Sequence, residues 1–458
     1  MKRATVSVDF EKTVGTWKPM HGVGQPPMTG LSNSLFHYMT EAGIPYSRLH
    51  DVGGWMGGGL YVDVPNLFRD FDADECDPAS YDFAFTDKII EGLLKAKVEP
   101  YFRLGVTIEN EHMVKSYRIY PPKDFAKWAR ICEHIVAHYV DGWADGFRFP
   151  ITYWEIWNEP DDCYEEKTSA MWKGTPEQYF RLYEVAAKHL KAVFGDRIKV
   201  GGYASCGVYE YLKDPNRDGN FEVTDLFTHI LKFMHDFLAY QKKAGSPLDF
   251  FSWHLYDRLL RDGGDLLEAR VHADYVREVL DRNGFGETES HLNEWNAHYF
   301  VKRRNEPRGA SRTLGFMLMM QDTPTDLMCY YDAGLGSSDY RSFLNPDTRA
   351  PYRTYYAFPM YNSLYRLENE CAATSTDPRL FVGAAKKGSR ASVVIANTTG
   401  DSVWLTLSLS GFEADEVLIH RLDEENLYTL THEPLVSMMI PEDGCVEISM
   451  YRLAEAES

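Results

Sequence analysis

The strongest constraint on the fold is an alternation of short apolar stretches with longer amphipathic ones. The apolar stretches predict strands at residues 18–24, 45–50, 99–105, 154–160, 197–202, 249–255, 289–294 and 326–332. The amphipathic ones predict helices at residues 31–43, 83–97, 123–144, 179–194, 223–243, 266–283 and 309–321. Eight strands interleaved with helices over roughly 340 residues predict a (β/α)8 TIM barrel.

The pattern changes after about residue 366. Short strands are predicted at residues 380–385, 391–397, 403–409, 416–422, 435–440 and 446–451, with turn residues between them, which is typical of a β-sandwich. Residues 4–10 alternate like a half-buried strand but have no place in the barrel. We therefore predict a strand in residues 1–14 that joins the sandwich, a catalytic barrel in residues 15–365, and an accessory β-sandwich in residues 366–458.

Composition excludes several classes of protein. The net charge of −20 argues against nucleic acid or an anionic membrane surface as a partner. Acidic residues interrupt the N-terminal segment at Asp9 and Glu11, so no signal peptide is predicted and a cytoplasmic protein is expected. The seven cysteines form no CxxC pair, which predicts neither a zinc site nor a disulfide framework. The oligomeric state does not follow from the sequence.

The fourth predicted strand ends in Trp157, Asn158, Glu159 and Pro160. Pro160 cannot donate to a strand ladder, so Glu159 lies where strand gives way to loop. In barrels of this kind, that end of a strand carries the chemistry. An acid beside an amide in an aromatic setting is suited to cleaving a glycosidic bond, and Asn158 is predicted to hold a sugar hydroxyl.

A glycosidase needs a second carboxylate across the scissile bond. Glu294 ends the seventh predicted strand and is followed by Trp295, whose indole is predicted to offer an apolar face to the sugar. Either acid alone is also compatible with an ordinary strand end. Two such acids, each beside Trp and Asn, favour a catalytic pair.

Two other strand ends each carry a pair of polar residues two positions apart, so that both side chains of a pair point the same way. On strand six, His254 and Tyr256 are predicted to face the barrel mouth, where the Tyr256 hydroxyl can donate to Glu294. On strand two, Arg48 and His50 are predicted to contact substrate. Glu155 is predicted to pair with Arg103 as a structural ion pair, since a charge inside a barrel needs a partner. The loop over residues 51–80 carries five glycines and is predicted to form a wall of the cleft.

These motifs resemble glycoside hydrolase clan A, and most closely family 39, the β-xylosidase and α-L-iduronidase family. The resemblance spans about residues 15–365. It rests on Trp157-Asn158-Glu159-Pro160, on Glu294-Trp295-Asn296, on His254-x-Tyr256 and on Arg48-x-His50. The clan commonly has Trp at the end of strand eight, where this chain has Tyr330, Tyr331 and Asp332.

The resemblance implies retaining hydrolysis by double displacement, with Glu294 as nucleophile, Glu159 as acid/base and no cofactor or metal. It favours a β-xylosidase acting on a glycoside or oligosaccharide. Three alternatives stay open at this point: an α-L-arabinofuranosidase or β-galactosidase on the same scaffold, a transglycosylase, and a non-catalytic carbohydrate-binding barrel.

Overall fold

The structure is a computed structural model that describes residues 1–28, 32, 34–54, 59–107, 118–163, 169–256, 264–297, 305–336, 341–432 and 434–453. Gly57 and Gly58 of the predicted cleft wall lie outside these residues. The described part of that loop contains two short antiparallel strands, one turn of α-helix and a 3₁₀ turn rather than irregular chain only.

Eleven strands are described before residue 331. They are β1 (Lys2–Thr16), β2 (Gly22–Gly24), β3 (Tyr46–Leu49), β4 (Gly53–Gly54), β5 (Gly59–Leu60), β6 (Glu99–Leu104), β7 (Tyr153–Ile156), β8 (Lys199–Ser205), β9 (Phe250–Leu255), β10 (Glu289–Trp295) and β11 (Leu327–Tyr330).

Eight of these strands close into a parallel barrel in the order β10-β11-β2-β3-β6-β7-β8-β9, which is chain order around the ring. Strands β7 and β9 are buried along their whole length. Such continuous burial is expected of parallel strands that have helices outside and side chains inside. The predicted fold class, a (β/α)8 TIM barrel with an accessory C-terminal β-sandwich domain, is confirmed, and the C-terminal part is a curled mixed sheet.

The described helices surround the barrel. They are α1 (Phe36–Ala42), α2 (Val64–Leu67), α3 (Ala84–Lys95), α4 (Phe125–Val140), α5 (Pro176–Phe194), α6 (Leu226–Ala244), α7 (Arg270–Arg282), α8 (Pro307–Gln321) and α9 (Ala357–Tyr365). Thr175 begins α5 in a capping box with Gln178, so both side chains satisfy backbone N–H groups. Helix α9 was not predicted. No helix within the described ranges is long and apolar enough to cross a membrane.

The lower interior of the barrel is filled by aromatic side chains. Tyr101 and Tyr153 stack with their ring centroids 5.3 Å apart, and Phe250 stacks on His291 at 4.8 Å. These residues lie on four different strands, at the ends opposite to the mouth. They fill the interior at that end, and the opposite end, formed by the carboxyl ends of the strands, is where barrels of this kind place their active sites.

The C-terminal part is a mixed β-sheet. Its strands are β12 (Asn369–Ser375), β13 (Leu380–Lys387), β14 (Arg390–Asn397), β15 (Val403–Ser410), β16 (Glu416–Leu422), β17 (Leu427–Thr431), β18 (Ser437–Ile440) and β19 (Cys445–Tyr451). Together with β1 they form one nine-stranded sheet in the order β17-β16-β19-β14-β13-β12-β1-β15-β18. Strands β12 and β17 were not predicted.

Strand β1 lies inside this sheet, antiparallel to β12 and parallel to β15. Its Val6, Val8 and Phe10 are buried in a core that also contains Ile419 of β16 and Ile440 of β18. Because β16 and β18 lie near opposite ends of the sheet, the sheet curls over on itself to enclose that core. The division of the chain at residues 14/15 and 365/366 stays a prediction.

Helices α8 and α9 pack between the barrel and the curled sheet. The Trp17 indole N–H donates to the Ala384 carbonyl oxygen of β13 at 3.2 Å. Gly383 lies against the same ring, and a Cβ atom at this position would meet Trp17 at 2.5 Å and Leu364 at 2.8 Å. The sheet therefore seats closely against the barrel only because residue 383 has no side chain.

Candidate active site

A bulge at the end of β10 decides which side chains reach the barrel mouth. The register with β9 shifts between Leu292 and Glu294, and the register with β11 shifts between Leu292 and Trp295. As a result, Asn293 and Glu294 both face the interior, where strict alternation would admit only one of them. Trp295 points outward and packs on Phe316 of α8, with ring centroids 4.7 Å apart.

Glu294 is held by two donors. Arg48 Nη1 donates to Oε1 at 2.6 Å, and the Tyr256 hydroxyl donates to Oε2 at 2.8 Å, as predicted for Tyr256. The Glu294 side chain is only 7% exposed. Burial raises its pKa, while electrostatic interactions with His254 and with the positive charge of Arg48 oppose that rise. The two hydrogen bonds orient the carboxylate and favour its ionised form.

Arg48 is the centre of the polar interior. Its guanidinium is fully buried and donates to Glu155 Oε2 at 2.7 Å, to Glu294 Oε1 and to Asn158 Oδ1 at 2.6 Å. The planar guanidinium of Arg48 on β3 therefore connects this strand to the ends of β7 and β10, the fourth and seventh strands of the barrel. Burial opposes the charge, but Glu155 and Glu294 outweigh it and raise the Arg48 pKa. The Arg48 side chain is fully buried beneath Glu294 and Asn158, and its contact with substrate stays a prediction.

The predicted pair of Arg103 and Glu155 is wrong. Arg103 Nη2 donates to Asp63 Oδ1 at 2.7 Å, whereas Glu155 accepts from Arg48. Glu155 also accepts from the Ser252 hydroxyl at 2.6 Å. Its role as a buried structural charge is unchanged, but its partner lies on β3 rather than on β6.

Glu159 lies three residues beyond β7, and its backbone N–H donates to the Ala204 carbonyl oxygen at 3.0 Å. Its φ is 43°, in the left-handed region that costs a non-glycine residue conformational energy. The side chain is 17% exposed, so it can be reached from the mouth. Burial, reinforced by the negative charge of Asp162, raises the pKa of Glu159 to about 8.

His254 lies between the two carboxylates. Its Nδ1 is 2.6 Å from Glu159 Oε1 and 3.5 Å from Glu294 Oε2. Burial lowers its pKa to about 4, so the ring is neutral at pH 7. An oxygen of each acid and a nitrogen of His254 lie within 4.8 Å of one another, which is also compatible with metal ligation. The chemistry proposed below needs only the two acids.

Asn158 is placed to bind a ligand. Its side chain is buried, and its Oδ1 accepts from Arg48. Among the described residues, its Nδ2 has no hydrogen-bond partner. A buried amide donor without a partner costs free energy until a ligand satisfies it. His50 lies nearby, with Nε2 3.8 Å from Glu294 Oε1, and burial lowers its pKa well below 6.5.

Of the predicted site residues, the structure brings together Glu159, Glu294, Asn158, His254, Tyr256, His50 and Arg48. Trp295 is excluded, because it is fully buried against Phe316 and Tyr330, and its predicted contact with sugar is wrong.

Sequence reasoning missed several polar residues around this group. Asp51 follows His50 directly, and Tyr331 ends strand eight; both positions carried the signal of a barrel strand end. Asp161 and Asp162 follow the Trp-Asn-Glu-Pro motif. Burial raises the pKa of Asp161 to about 7, although its carboxylate accepts from the Ser205 hydroxyl at 2.7 Å.

A barrel with two facing acids at the ends of strands four and seven defines a glycoside hydrolase of the TIM-barrel type. The family model for glycosyl hydrolases family 39 matches residues 7–311. The chain belongs to that family.

Two relatives and one solved structure are similar to this chain. A β-xylosidase from Geobacillus stearothermophilus is 25% identical over 63% of this chain and 54% of its own length. A β-xylosidase from Caldicellulosiruptor saccharolyticus is 28% identical over 51% of this chain and 41% of its own length. The chain thus spans about half the length of the curated relatives it matches. A glucosidase from Croceicoccus marinus has the same fold, with a TM-score of 0.79, 21% identity and 99% coverage of both chains.

Proposed function

We propose that the protein hydrolyses β-xylosides with retention of anomeric configuration. One observation carries the proposal. Two carboxyl groups lie close together, and the mechanism requires one of them to be protonated and the other to be ionised. Glu159, with a pKa of about 8, is protonated at neutral pH, whereas Glu294 accepts from Arg48 and Tyr256. An oxygen of Glu159 and an oxygen of Glu294 lie within 4.8 Å of each other, and this proximity supports a retaining mechanism, in which the carboxyl groups are roughly 5–5.5 Å apart.

In the first step, an oxygen of Glu294 attacks the anomeric carbon while Glu159 protonates the departing glycosidic oxygen. The bond between sugar and leaving group breaks as the glycosyl-enzyme ester forms. Esterification removes the negative charge of Glu294, which lowers the pKa of Glu159 and makes it a base. Glu159 then deprotonates a water molecule that attacks the ester and restores Glu294.

The surrounding residues hold these two acids in place. Arg48 and Tyr256 orient Glu294, and the hydrogen bond between His254 Nδ1 and Glu159 Oε1 fixes the orientation of Glu159. Asn158 Nδ2 donates to the sugar 2-hydroxyl, a contact that strengthens in the transition state.

The choice of β-xylosides rests on the two curated relatives, which are named β-xylosidases. The likeness to the glucosidase supports the fold alone. A glycoside is the partner that this site is suited to bind, and a cytoplasmic location stays a prediction from the sequence.

The test is a panel of aryl glycosides: β-D-xyloside, α-L-arabinofuranoside, β-D-galactoside, β-D-glucoside and α-L-iduronide. We expect the highest kcat/KM on the xyloside, and proton NMR during the first turnovers should detect β-xylose before it mutarotates. Glu294→Gln, purified in parallel, is the control for contaminating glycosidases. First formation of the α-anomer would refute retention, and absence of turnover on the whole panel would refute the function.

A further inference from the structure

Left-handed backbone recurs at the mouth of the barrel. Glu159 adopts φ 43° and Trp157 φ 75°, and both belong to the strand-four segment that places the proposed acid. Two residues in other strand-end loops share this conformation: Gln25 at φ 53° after β2 and Asp51 at φ 55° after β3. Non-glycine residues are held this way where the surrounding structure fixes them, and such positions cluster at functional sites. Gln25 and Asp51 are therefore candidates for a functional role.

Both residues converge on one hydroxyl group. Tyr331 donates its hydroxyl to Asp51 Oδ2 at 2.8 Å and accepts from Gln25 Nε2 at 2.9 Å. Tyr331 follows β11, so this hydrogen-bonded chain joins the ends of strands one, two and eight. It forms a polar wall, which we define as Gln25, Asp51 and Tyr331.

The polar wall stands beside Glu294. His50 Nε2 lies 3.2 Å from Asp51 Oδ1 and 3.8 Å from Glu294 Oε1, so His50 separates the two carboxylates. The Tyr331 ring meets the Tyr256 ring edge to face, with centroids 6.4 Å apart. Glu159 is reached through His254, on another side of Glu294. A sugar attacked by Glu294 therefore has Asp51 within reach of its ring hydroxyls while its leaving group faces Glu159.

Asp51 is accessible as well as fixed. Its side chain is 15% exposed, whereas Arg48 beneath it is fully buried. A carboxylate accepts hydrogen bonds but cannot donate them, so its natural ligand is a hydroxyl group. Arg341 contacts the same wall, where its Nη2 donates to Gln25 Oε1 at 3.2 Å, and its Nε lies 3.7 Å from Oδ1 of Asp332, the residue after Tyr331.

We propose that Asp51 binds the glycone, accepting a hydrogen bond from its 3- or 4-hydroxyl, with Tyr331 as the residue that positions the carboxylate. This inference rests on the proposed function and specifies its substrate class. The glycone is a neutral sugar with free hydroxyls on the side away from the leaving group. A sugar carboxylate at this wall meets the negative charge of Asp51, so uronides are poor substrates.

The test is a thermodynamic cycle in which the Asp51 carboxylate and one substrate hydroxyl are removed separately and together. Wild type and Asp51→Asn are assayed on aryl β-D-xyloside and on its 3-deoxy and 4-deoxy derivatives. A hydrogen bond to a charged group predicts a loss in kcat/KM of about 10- to 100-fold for Asp51→Asn on the xyloside. The loss should be much smaller on whichever deoxy substrate lacks the bound hydroxyl. Asp82→Asn, at an exposed ion pair with Arg69, is the matched control and should lose nothing.

Tyr331→Phe gives a second variant that keeps the carboxylate. It should show a smaller loss with the same dependence on the deleted hydroxyl, which a general structural defect would not produce. An Asp51→Asn loss that is equal on the xyloside and on both deoxy substrates overturns the contact.

The predicted exclusion of uronides is tested separately, by comparing two substrates of the wild-type protein. Wild type should turn over an aryl α-L-iduronide at least about 100-fold less efficiently than the xyloside, and equal turnover overturns the substrate class. A wild-type protein inactive on every glycoside would refute the proposed function itself. If the enzyme is active but the losses caused by Asp51→Asn and by deleting the hydroxyl simply add, only this inference is refuted.

Discussion

The raised pKa of Glu159 makes a prediction about its role as the acid that protonates the leaving group. A carboxyl group with a pKa of about 8 is about 90% protonated at pH 7, whereas at its ordinary value of 4.5 it would be about 0.3% protonated. The raised pKa therefore increases the protonated fraction of Glu159 roughly 300-fold at neutral pH. Above pH 8, the proton is lost and kcat/KM should fall.

Glu159→Gln should remove that alkaline limb and discriminate between leaving groups. General acid catalysis contributes on the order of 10²- to 10⁴-fold, and the variant should lose about that much on xylobiose. On an activated aryl xyloside the leaving group departs without a proton, so the glycosyl-enzyme should still form. Deglycosylation should then lag, because no base activates water, and stopped-flow absorbance should record a burst followed by slow turnover.

Two further variants sharpen this test. Asp162→Asn removes a negative charge that raises the pKa of Glu159, so it should move the alkaline limb to lower pH without abolishing turnover. Glu177→Gln, at an exposed position in the first turn of α5, should leave the profile unchanged. Equal loss of activity on activated and unactivated substrates in Glu159→Gln, with no burst, would show that this residue is not the acid/base.

Three other outcomes are expected. Glu294→Ala should abolish hydrolysis, and azide should restore it with an inverted product identified by NMR; turnover near wild type would contradict its assignment as nucleophile. Arg48→Met leaves buried carboxylates unpaired and should lower the free energy of unfolding by about 3–5 kcal/mol in urea titrations, against about 0–1 kcal/mol for the exposed Arg69→Met. Phe10→Ala, fully buried in the β domain, should cost about 3–5 kcal/mol, whereas Val14→Ala, 55% exposed, should change stability by less than about 0.5 kcal/mol; equal effects would contradict the packing of β1.

The barrel was predictable because hydrophobic periodicity is local, and so were the positions of Glu159 and Glu294. Each lies where an apolar run ends, a signal contained within a few residues of sequence. The helices and strands that escaped prediction had weak local patterns. Strand β17, for example, has no fully buried residue, so apolar and polar residues do not alternate clearly along it. The catalytic roles themselves stay predictions.

The partners of the polar residues were not predictable, because they depend on how strands register. Arg48 finds its acceptors 107 and 246 residues away, and Tyr331 reaches Asp51 across 280 residues. The error over Trp295 has a different source. Alternation along β10 is broken by the bulge, and nothing in the local pattern of apolar residues marks a bulge in advance.

The position of β1 within the curled sheet has a consequence for the order in which the protein folds. Thr5 bonds to Thr376 across 371 residues, and the parallel neighbour of β1, β15, comes later still. During synthesis, the whole barrel therefore emerges before β1 has either of its partners. Until then its apolar face has no cover, and contacts between such distant segments form slowly. The barrel is expected to fold first, and the closing of the sheet around β1 to be a late step that depends on the C-terminal strands.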